Sequence, residues 1–564
     1  MDKSLFSRAL AQHVPLDEPE INELLEVPPN PDMGDIAFPC FGLAKVLRKS
    51  PNDIAATLVS VLSSDLWEVS AAGGYLNFKL NREQALQSGL IQAMKDGISL
   101  EQSGAGRTLV IDFASPNIAK PISIGNLRST ILGNALSRMY EAKGWNVVRI
   151  NHLGDWGSQF GKVLAAYKRW GNDEQIFKDP VKELLSIYVK FHTEVETDPT
   201  LLEDSREWFQ KLEQRDEEAL RLWKWFVGES TQAFMKTYNR LGIHFDHYWG
   251  ESFYTDKIPP VIDKLRELRL LESSDGAEIV RFGDDLPPCI MIKSDGTTIY
   301  AVRDVATAVY RYEAYHFDEM IYVVGSEQIL HFQQVFKVLQ LMGHEWSSNC
   351  KHVPFGLLKI DGKKMSSRKG DVIFLEDVLN ESVYRVKNII EEKNPELEDR
   401  DAVAETVGVG AVVFHELKNQ RIKEIDFSWD DVLNFDGESG PYVQYTHARI
   451  SSLIKKAQFT PAQYLEMIDD DRSIDGVSGL EWQLWRELKR YDESVSRAVE
   501  KQEPFIVTRQ LLSIAHCFNS LYNQQRILTD ESDKRGRVLA LVYHTGETLQ
   551  HGLGLLGIGA PNRM

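Results

Sequence analysis

Apolar positions change their period twice between residues 108 and 157. Leu109-Val110-Ile111-Asp112-Phe113 is a short run of β-leaning residues closed by Ser115-Pro116-Asn117, the pattern of a buried strand running into a turn. After Gly125 the apolar residues Leu127, Ile131, Leu132, Leu136 and Met139 recur at helical spacing, and Gly144 stops the pattern. A second apolar strand follows over 146–150. Strand, loop, helix and strand in this order predict a parallel pair joined by a right-handed crossover.

The patterning elsewhere divides the chain. Residues 1–105 read as a separate small α/β module: Asn30-Pro31-Asp32-Met33-Gly34-Asp35 is turn chemistry, a helical pattern begins over 41–47, and Ala71-Ala72-Gly73-Gly74 reads as a turn ahead of a strand over 75–80. From about 173 to 278 long charged and aromatic residues fall at helical spacing, which predicts a mostly helical insertion. Its Trp208, Trp223, Trp225 and Phe234 are expected to pack helices rather than to stack on RNA. Short strands return over 279–374, where Ile321-Tyr322-Val323-Val324-Gly325 is a buried strand closed by glycine and Ser326-Glu327-Gln328 opens a helix. From about 375 to 564 the pattern is helical almost throughout, most clearly over 508–521 and 538–556, as in a helical bundle.

A chain of 564 residues exceeds one core and suggests three or four domains. With 43% hydrophobic and 26% charged residues it reads as globular, and no run approaches the roughly 18 to 20 apolar residues a membrane span needs. The first residues lack a signal-peptide core, so the expected location is cytoplasmic, with no membrane partner. Cys40, Cys289, Cys350 and Cys517 are scattered and suggest core thiols, with neither a metal site nor a disulfide framework. A net charge of −19 argues against general adhesion to nucleic acid, although residues 101–170 hold nine Lys/Arg against four Asp/Glu. An acidic protein with one basic face suits a single folded RNA partner.

The loop over 115–126 is the place for chemistry, because ligands in open α/β sheets sit beyond the carboxyl ends of strands, where helix N-termini offer free N–H groups to phosphate. Lys120 supplies charge, Gly125 leaves room for a flat ring against the backbone, and Ser123 and Asn126 bring hydrogen-bonding groups. An ordinary strand-to-helix connection is the alternative. Further on, Lys363-Lys364-Met365-Ser366-Ser367-Arg368-Lys369-Gly370 packs four cations into seven residues, a phosphate clamp or a solvated loop.

Ser123-Ile124-Gly125-Asn126 resembles the HIGH motif of class I aminoacyl-tRNA synthetases, with the glycine kept and both histidines replaced. Lys364-Met365-Ser366-Ser367-Arg368 resembles their KMSKS motif, with Ser367 in place of the fourth-position lysine and Arg368 and Lys369 beside it. Gly440-Pro441-Tyr442-Val443-Gln444-Tyr445-Thr446-His447-Ala448-Arg449 and the ending Gly554-Leu555-Leu556-Gly557-Ile558-Gly559-Ala560-Pro561-Asn562-Arg563-Met564 are similar to stretches of arginyl-tRNA synthetases. That resemblance covers nearly the whole chain. It implies a multidomain α/β fold: a Rossmann-like class I synthetase catalytic domain over 106–374 with a helical insertion, an N-terminal α/β accessory domain over 1–105 that touches the outer corner of tRNA, and a C-terminal helical bundle over 375–564 that binds tRNA at its anticodon.

The same resemblance assigns site residues. Asp112 and Asp304 would face the guanidinium of arginine, with Tyr300 one helical turn before Asp304, and Asn117 and Gln328 would hold the amino acid's polar backbone end. A guanidinium offers a planar fork of five donors, so carboxylates in its pocket are chemically required. Asp112 could instead be a turn former, and Asp304 half of a surface pair with Arg303. ATP would lie against Lys120, Ser123, Gly125, Asn126, Lys364, Ser366 and Ser367, with Ser123, Asn126, Lys364, Arg368 and Lys369 acting on the phosphates, and Mg2+ is expected as Mg-ATP with no metal held by the protein. His152, in Asn151-His152-Leu153-Gly154-Asp155-Trp156-Gly157, would border the ATP site or fix a loop. Tyr442, Tyr445 and Met564 would contact tRNA, against helix-junction packing for Tyr442, Tyr445 and His447.

The implied activity is arginine-tRNA ligation by a monomer, with arginine, ATP and arginine tRNA as substrates. An amino-acid carboxylate is already ionised at neutral pH, so positioning and charge stabilisation suffice for its activation. The alternative is a catalytically weakened paralogue that binds tRNA or arginine without efficient ligation, motivated by the missing histidines.

Overall fold

The computed structural model describes residues 3–28, 30, 33–64, 66–360, 373–435, 437–468, 476–529 and 532–564. They form two compact units, each assembled from three pieces of chain: 1–99, 449–493 and 512–549 in one, and 100–448, 494–511 and 550–564 in the other.

In the larger unit the predicted crossover is present. Strand Thr108–Asp112 pairs in parallel with Asn146–Ile150 on one side and with Glu319–Tyr322 on the other, and Cys350–His352 completes a four-stranded parallel sheet. Leu109, Val110 and Ile111 are fully buried, as a strand covered on both faces requires. The intervening helix, Ile124–Ala142, buries residues on nearly every side.

Between 158 and 267 the chain is helical apart from a short bridge, beginning with Ser158–Trp170, earlier than the expected insertion boundary. Phe234 is buried; Trp208, Trp223 and Trp225 are half-buried. The insertion ends sooner than 278, because Glu272–Ser274 and Ala277–Val280 form a hairpin and Cys289–Ile292 adds a third antiparallel strand. Asp275 and Gly276 make its turn at φ +49° and +80°, the Asp-Gly signature of a two-residue hairpin that a purely helical reading passes over. Among the described residues of the C-terminal part the one strand is Ile425–Phe427, which pairs in parallel with Leu358–Ile360, and the named elements around it are helices.

In the other unit, strands Ile36–Pro39, Tyr75–Leu80 and Trp67–Ala72 form an antiparallel sheet with Tyr75–Leu80 central, packed on a core that includes Phe6, Phe38, Trp67 and Phe78. Ala71 and Ala72 finish a strand, and only Gly73 and Gly74 turn, at φ +57° and +83°. The weak β-propensity of Ser-Ala-Ala hid that strand. Helix Arg82–Asp96 lies so close to Trp485 that a Cβ on Gly89 would sit 2.1 Å from the indole. All four cysteines are free thiols, Cys40, Cys289 and Cys350 being buried.

Candidate active site

Asp112 is the last residue of its strand and is 5% exposed. Its Oδ1 accepts from Ser115 Oγ at 3.0 Å, and its Oδ2 lies 2.7 Å from Nη1 of the fully buried Arg311. Arg311, on helix Tyr300–Tyr315, donates from Nε to Tyr254 Oη at 3.2 Å and places Nη2 3.5 Å from His152 Nδ1. Burial opposes the Arg311 charge, but Tyr254, Asp112 and Tyr322 outweigh it and hold its pKa above the ordinary value. The carboxylate expected to meet a substrate guanidinium thus already meets one from the protein.

Asp304, on the same helix, is partly buried, and His331 Nε2 lies 2.5 Å from its Oδ2. It makes no surface pair with Arg303, whose guanidinium turns to Glu251 at 3.7 Å. Asp112 and Asp304 act on one imidazole: burial lowers the pKa of His152 and Arg311 adds to that, while both aspartates oppose it. Tyr300 begins the helix, 64% exposed, with its ring 5.8 Å from the Arg303 guanidinium.

A cavity of about 370 Å³ opens here, with Asn117, Lys120, Tyr188, Glu251, Tyr300 and Arg303 among its lining. Of the five residues assigned to arginine it takes in Asn117 and Tyr300; Asp112, Asp304 and Gln328 lie off its wall. Asn117 is exposed and pairs with Gly154, where a Cβ would fall 2.1 Å from the Asn117 amide oxygen. Gln328 is also exposed, in the single turn Ser326–Gln328. Lys120 donates to Gln159 Oε1 at 3.3 Å and stands 4.9 Å over the Tyr188 ring.

Glu251 is the residue the sequence reading missed. It lies late in the helical insertion, at the start of the short helix Glu251–Lys257, on a segment pinned by Asp155, which accepts from the Ser252 amide at 2.8 Å and the Ser252 hydroxyl at 2.6 Å. Gly250 permits the approach, since a Cβ there would lie 2.3 Å from the Asp155 carboxyl carbon. Burial, with Asp155 and Asp304 nearby, pushes the Glu251 carboxyl up to about 7 against the pull of Arg303. Burial also raises the Asp155 carboxyl, with the Ser252 bonds opposing. The only hint in the sequence was a Trp-Gly-Glu-Ser run, whose partners lie about a hundred residues earlier.

At the nucleotide end Ser123 caps the Ile124–Ala142 helix, and Asn126 Oδ1 accepts from the Ser123 amide at 3.1 Å and its hydroxyl at 3.0 Å. The two motif residues therefore bind one another, and Asn126 keeps its amide N–H groups as donors. Gly125 is exposed at the helix start. Lys364, Ser366, Ser367, Arg368 and Lys369 lie outside the described residues, but the chain on their far side is tied to this site: Ile124 N–H donates to Ile373 O at 3.1 Å, and Leu375 N–H to Ile122 O at 3.0 Å.

Further along, His447 Nδ1 lies 3.0 Å from Pro561 O, and Gln444 donates to Gly559 O at 2.7 Å. Asn394 donates to Met564 O at 3.1 Å, and the Met564 side chain packs against the cluster of Val386, Ile390 and Val407. These contacts fix the C-terminal tail. Tyr445 is 42% exposed and Tyr442 half-buried.

Residues 86–429 match the family described as tRNA synthetases class I (R), catalytic domain; 443–564 match the DALR anticodon binding domain, and 3–80 the arginyl tRNA synthetase N terminal domain. Among relatives, the arginine--tRNA ligase of Clostridium kluyveri is 47% identical over 571 residues and that of Clostridium perfringens 45% over 568, each covering 100% of both chains. The Thermus thermophilus arginyl-tRNA synthetase structure superposes with a TM-score of 0.82 at 26% identity over 100% of both chains. The Plasmodium falciparum arginyl-tRNA synthetase, at 24% identity, shares the fold with a TM-score of 0.79 over 96% of this chain and 94% of that one.

Proposed function

This chain belongs to the class I arginyl-tRNA synthetase family, and from that premise we propose that it is an arginine-tRNA ligase. The observation that carries the reading is the one carboxylate in the cavity wall among the described residues: Glu251 lines the same space as Asn117 and Tyr300, burial holds its carboxyl up at about 7 against the pull of Arg303, and a guanidinium would supply the further donors it lacks. Asp112 contributes through Arg311 and Ser115, and Asn117 and Gln328 hold the ammonium and carboxylate of the amino acid.

The arginine carboxylate attacks the α-phosphorus of ATP, the bond to the β-phosphate oxygen breaks, and pyrophosphate leaves. A terminal ribose hydroxyl of arginine tRNA then attacks the carbonyl of arginyl-adenylate, and AMP leaves. Lys120, Gly125 and the Asn126 amide hold the nucleotide, and Ser123 acts by orienting Asn126. Lys364, Ser366, Ser367, Arg368 and Lys369 would neutralise charge passing to pyrophosphate. Mg2+ would arrive on the triphosphate as Mg-ATP. Tyr442, Tyr445 and the Met564 end face tRNA. No helix among the described residues is long and apolar enough to cross a membrane, and we place the enzyme in the cytoplasm as a monomer.

The test is arginine-dependent exchange of pyrophosphate into ATP, with and without arginine tRNA. Exchange is expected, and Asp304→Asn should reduce arginine use more than about tenfold, since a charge-assisted hydrogen bond contributes about 1.5–3 kcal/mol. No exchange even with tRNA would defeat the ligase reading and leave a protein that binds without ligating.

A further inference from the structure

The ladder joining the two central strands has an unusual last rung. In a parallel pair the rungs alternate sides, so after Val323 N–H donates to Asp112 O at 2.9 Å, the next bond in sequence would run from Ala114 N–H to Val323 O. Instead, the hydroxyl of Ser129 stands between them. Its Oγ accepts from Ala114 N–H at 3.0 Å and donates to Val323 O at 2.7 Å. Both backbone groups are satisfied, but across a side chain, so the strand ends are held apart where a direct bond would draw them together.

Ser129 comes from the second turn of the Ile124–Ala142 helix and is 7% exposed. Beyond the splay the two chains diverge. Ala114 and Ser115 adopt φ of +71° and +45° without being glycine, a strained path that needs its hydrogen bonds to persist. It leads to Asn117 on one side, while the other chain leads from Val323 through Gly325 to Gln328.

We infer that Ser129 is a positioning residue for arginine activation: its hydroxyl wedges the sheet open between these strands and so sets the span between Asn117 and Gln328. This rests on the assignment of those two residues to the amino acid's polar end. The guanidinium end rests on Asp304 and Glu251, off these strands, and on Asp112, which the regular rung from Val323 N–H still holds, so the wedge acts chiefly on the other end of the substrate.

Removing the hydroxyl either strands Ala114 N–H and Val323 O without partners or lets them close into an ordinary rung. In both cases the span changes. The experiment compares the full-length protein with Ser129→Ala and Ser129→Thr by arginine-dependent pyrophosphate exchange, with butylguanidine as a competitive probe that keeps the guanidinium and lacks both backbone groups. Ser129→Ala should raise the arginine KM about tenfold, as loss of hydrogen bonds worth about 1.4 kcal/mol in total would do. The ATP KM and the butylguanidine inhibition constant should stay within about twofold of wild type, and Ser129→Thr, which keeps the hydroxyl, should restore the arginine KM. An unchanged arginine KM, or arginine and butylguanidine weakening together, would overturn the wedge alone. A wild-type protein with no arginine-dependent exchange would overturn the ligase reading as well.

Discussion

In the unit that contains 449–493 and 512–549, Glu481 is fully buried and accepts from Arg537 Nε at 2.9 Å, Gln525 Nε2 at 2.8 Å and Ser478 Oγ at 3.2 Å. In the other unit Glu416 is buried 3.1 Å from Arg128 Nε, yet among the described residues neither of its oxygens accepts a hydrogen bond. Arg128 instead donates from Nη1 to the carbonyls of Gly356 at 2.6 Å and Lys423 at 2.7 Å. Burial accordingly pushes the Glu416 carboxyl up to about 7 against the attraction of Arg128. Nearness to a guanidinium does not by itself satisfy a carboxylate; the number of aimed donors decides whether the pair stabilises the fold. Glu251 is a third case, under-compensated like Glu416 but open to a cavity, where a ligand can bring the missing donors.

The contrast breaks most visibly at Glu481. Glu481→Ala leaves Arg537 buried without its partner and should cost about 3–5 kcal/mol, read as a lower unfolding midpoint. An unchanged midpoint would mean that the saturated pair contributes nothing. At Glu416 the effect depends on pH. A carboxyl raised from 4.5 to about 7 contributes stability that is fully present below 4.5 and is lost as pH rises through 7, about 3 kcal/mol in all. Urea unfolding at pH 5 and pH 8 should therefore show Glu416→Gln gaining on wild type by about that amount; an equal difference at both pH values would sink the distinction. Glu251 sharpens it on the functional side. Because its carboxyl is raised to about 7 by burial and by Asp155 and Asp304 against Arg303, it binds a guanidinium better as pH rises. The arginine KM should fall up to about tenfold between pH 6 and 8, and Glu251→Gln should abolish that slope. A slope that survives the substitution belongs to another group.

What the sequence made legible followed from local period. The strand over 146–150 and the helix after Ser123 were marked by apolar spacing and by Gly144, within reach of one another along the chain. The strand Trp67–Ala72 and the Asp275-Gly276 hairpin were hidden by weak propensity and by charged neighbours. At the site, the motif residues Ser123 and Asn126 could be located, but their mutual hydrogen bonds could not. Arg311 could not be read at all as the partner of Asp112, nor Ser129 as a rung, because such contacts join residues far apart in sequence and leave no periodic trace. Glu251 was obscure for the same reason.

The close seat of Gly89 on Trp485 has a consequence for biosynthesis. The first 99 residues of their unit leave the ribosome about 350 residues ahead of the next piece that covers them. Trp485 follows Gly89 by about 400 residues, so at about 5–20 residues per second the face around Gly89 waits roughly 20 to 80 s for its indole. The nascent chain must therefore keep that apolar helix face out of trouble for most of the time needed to translate the rest.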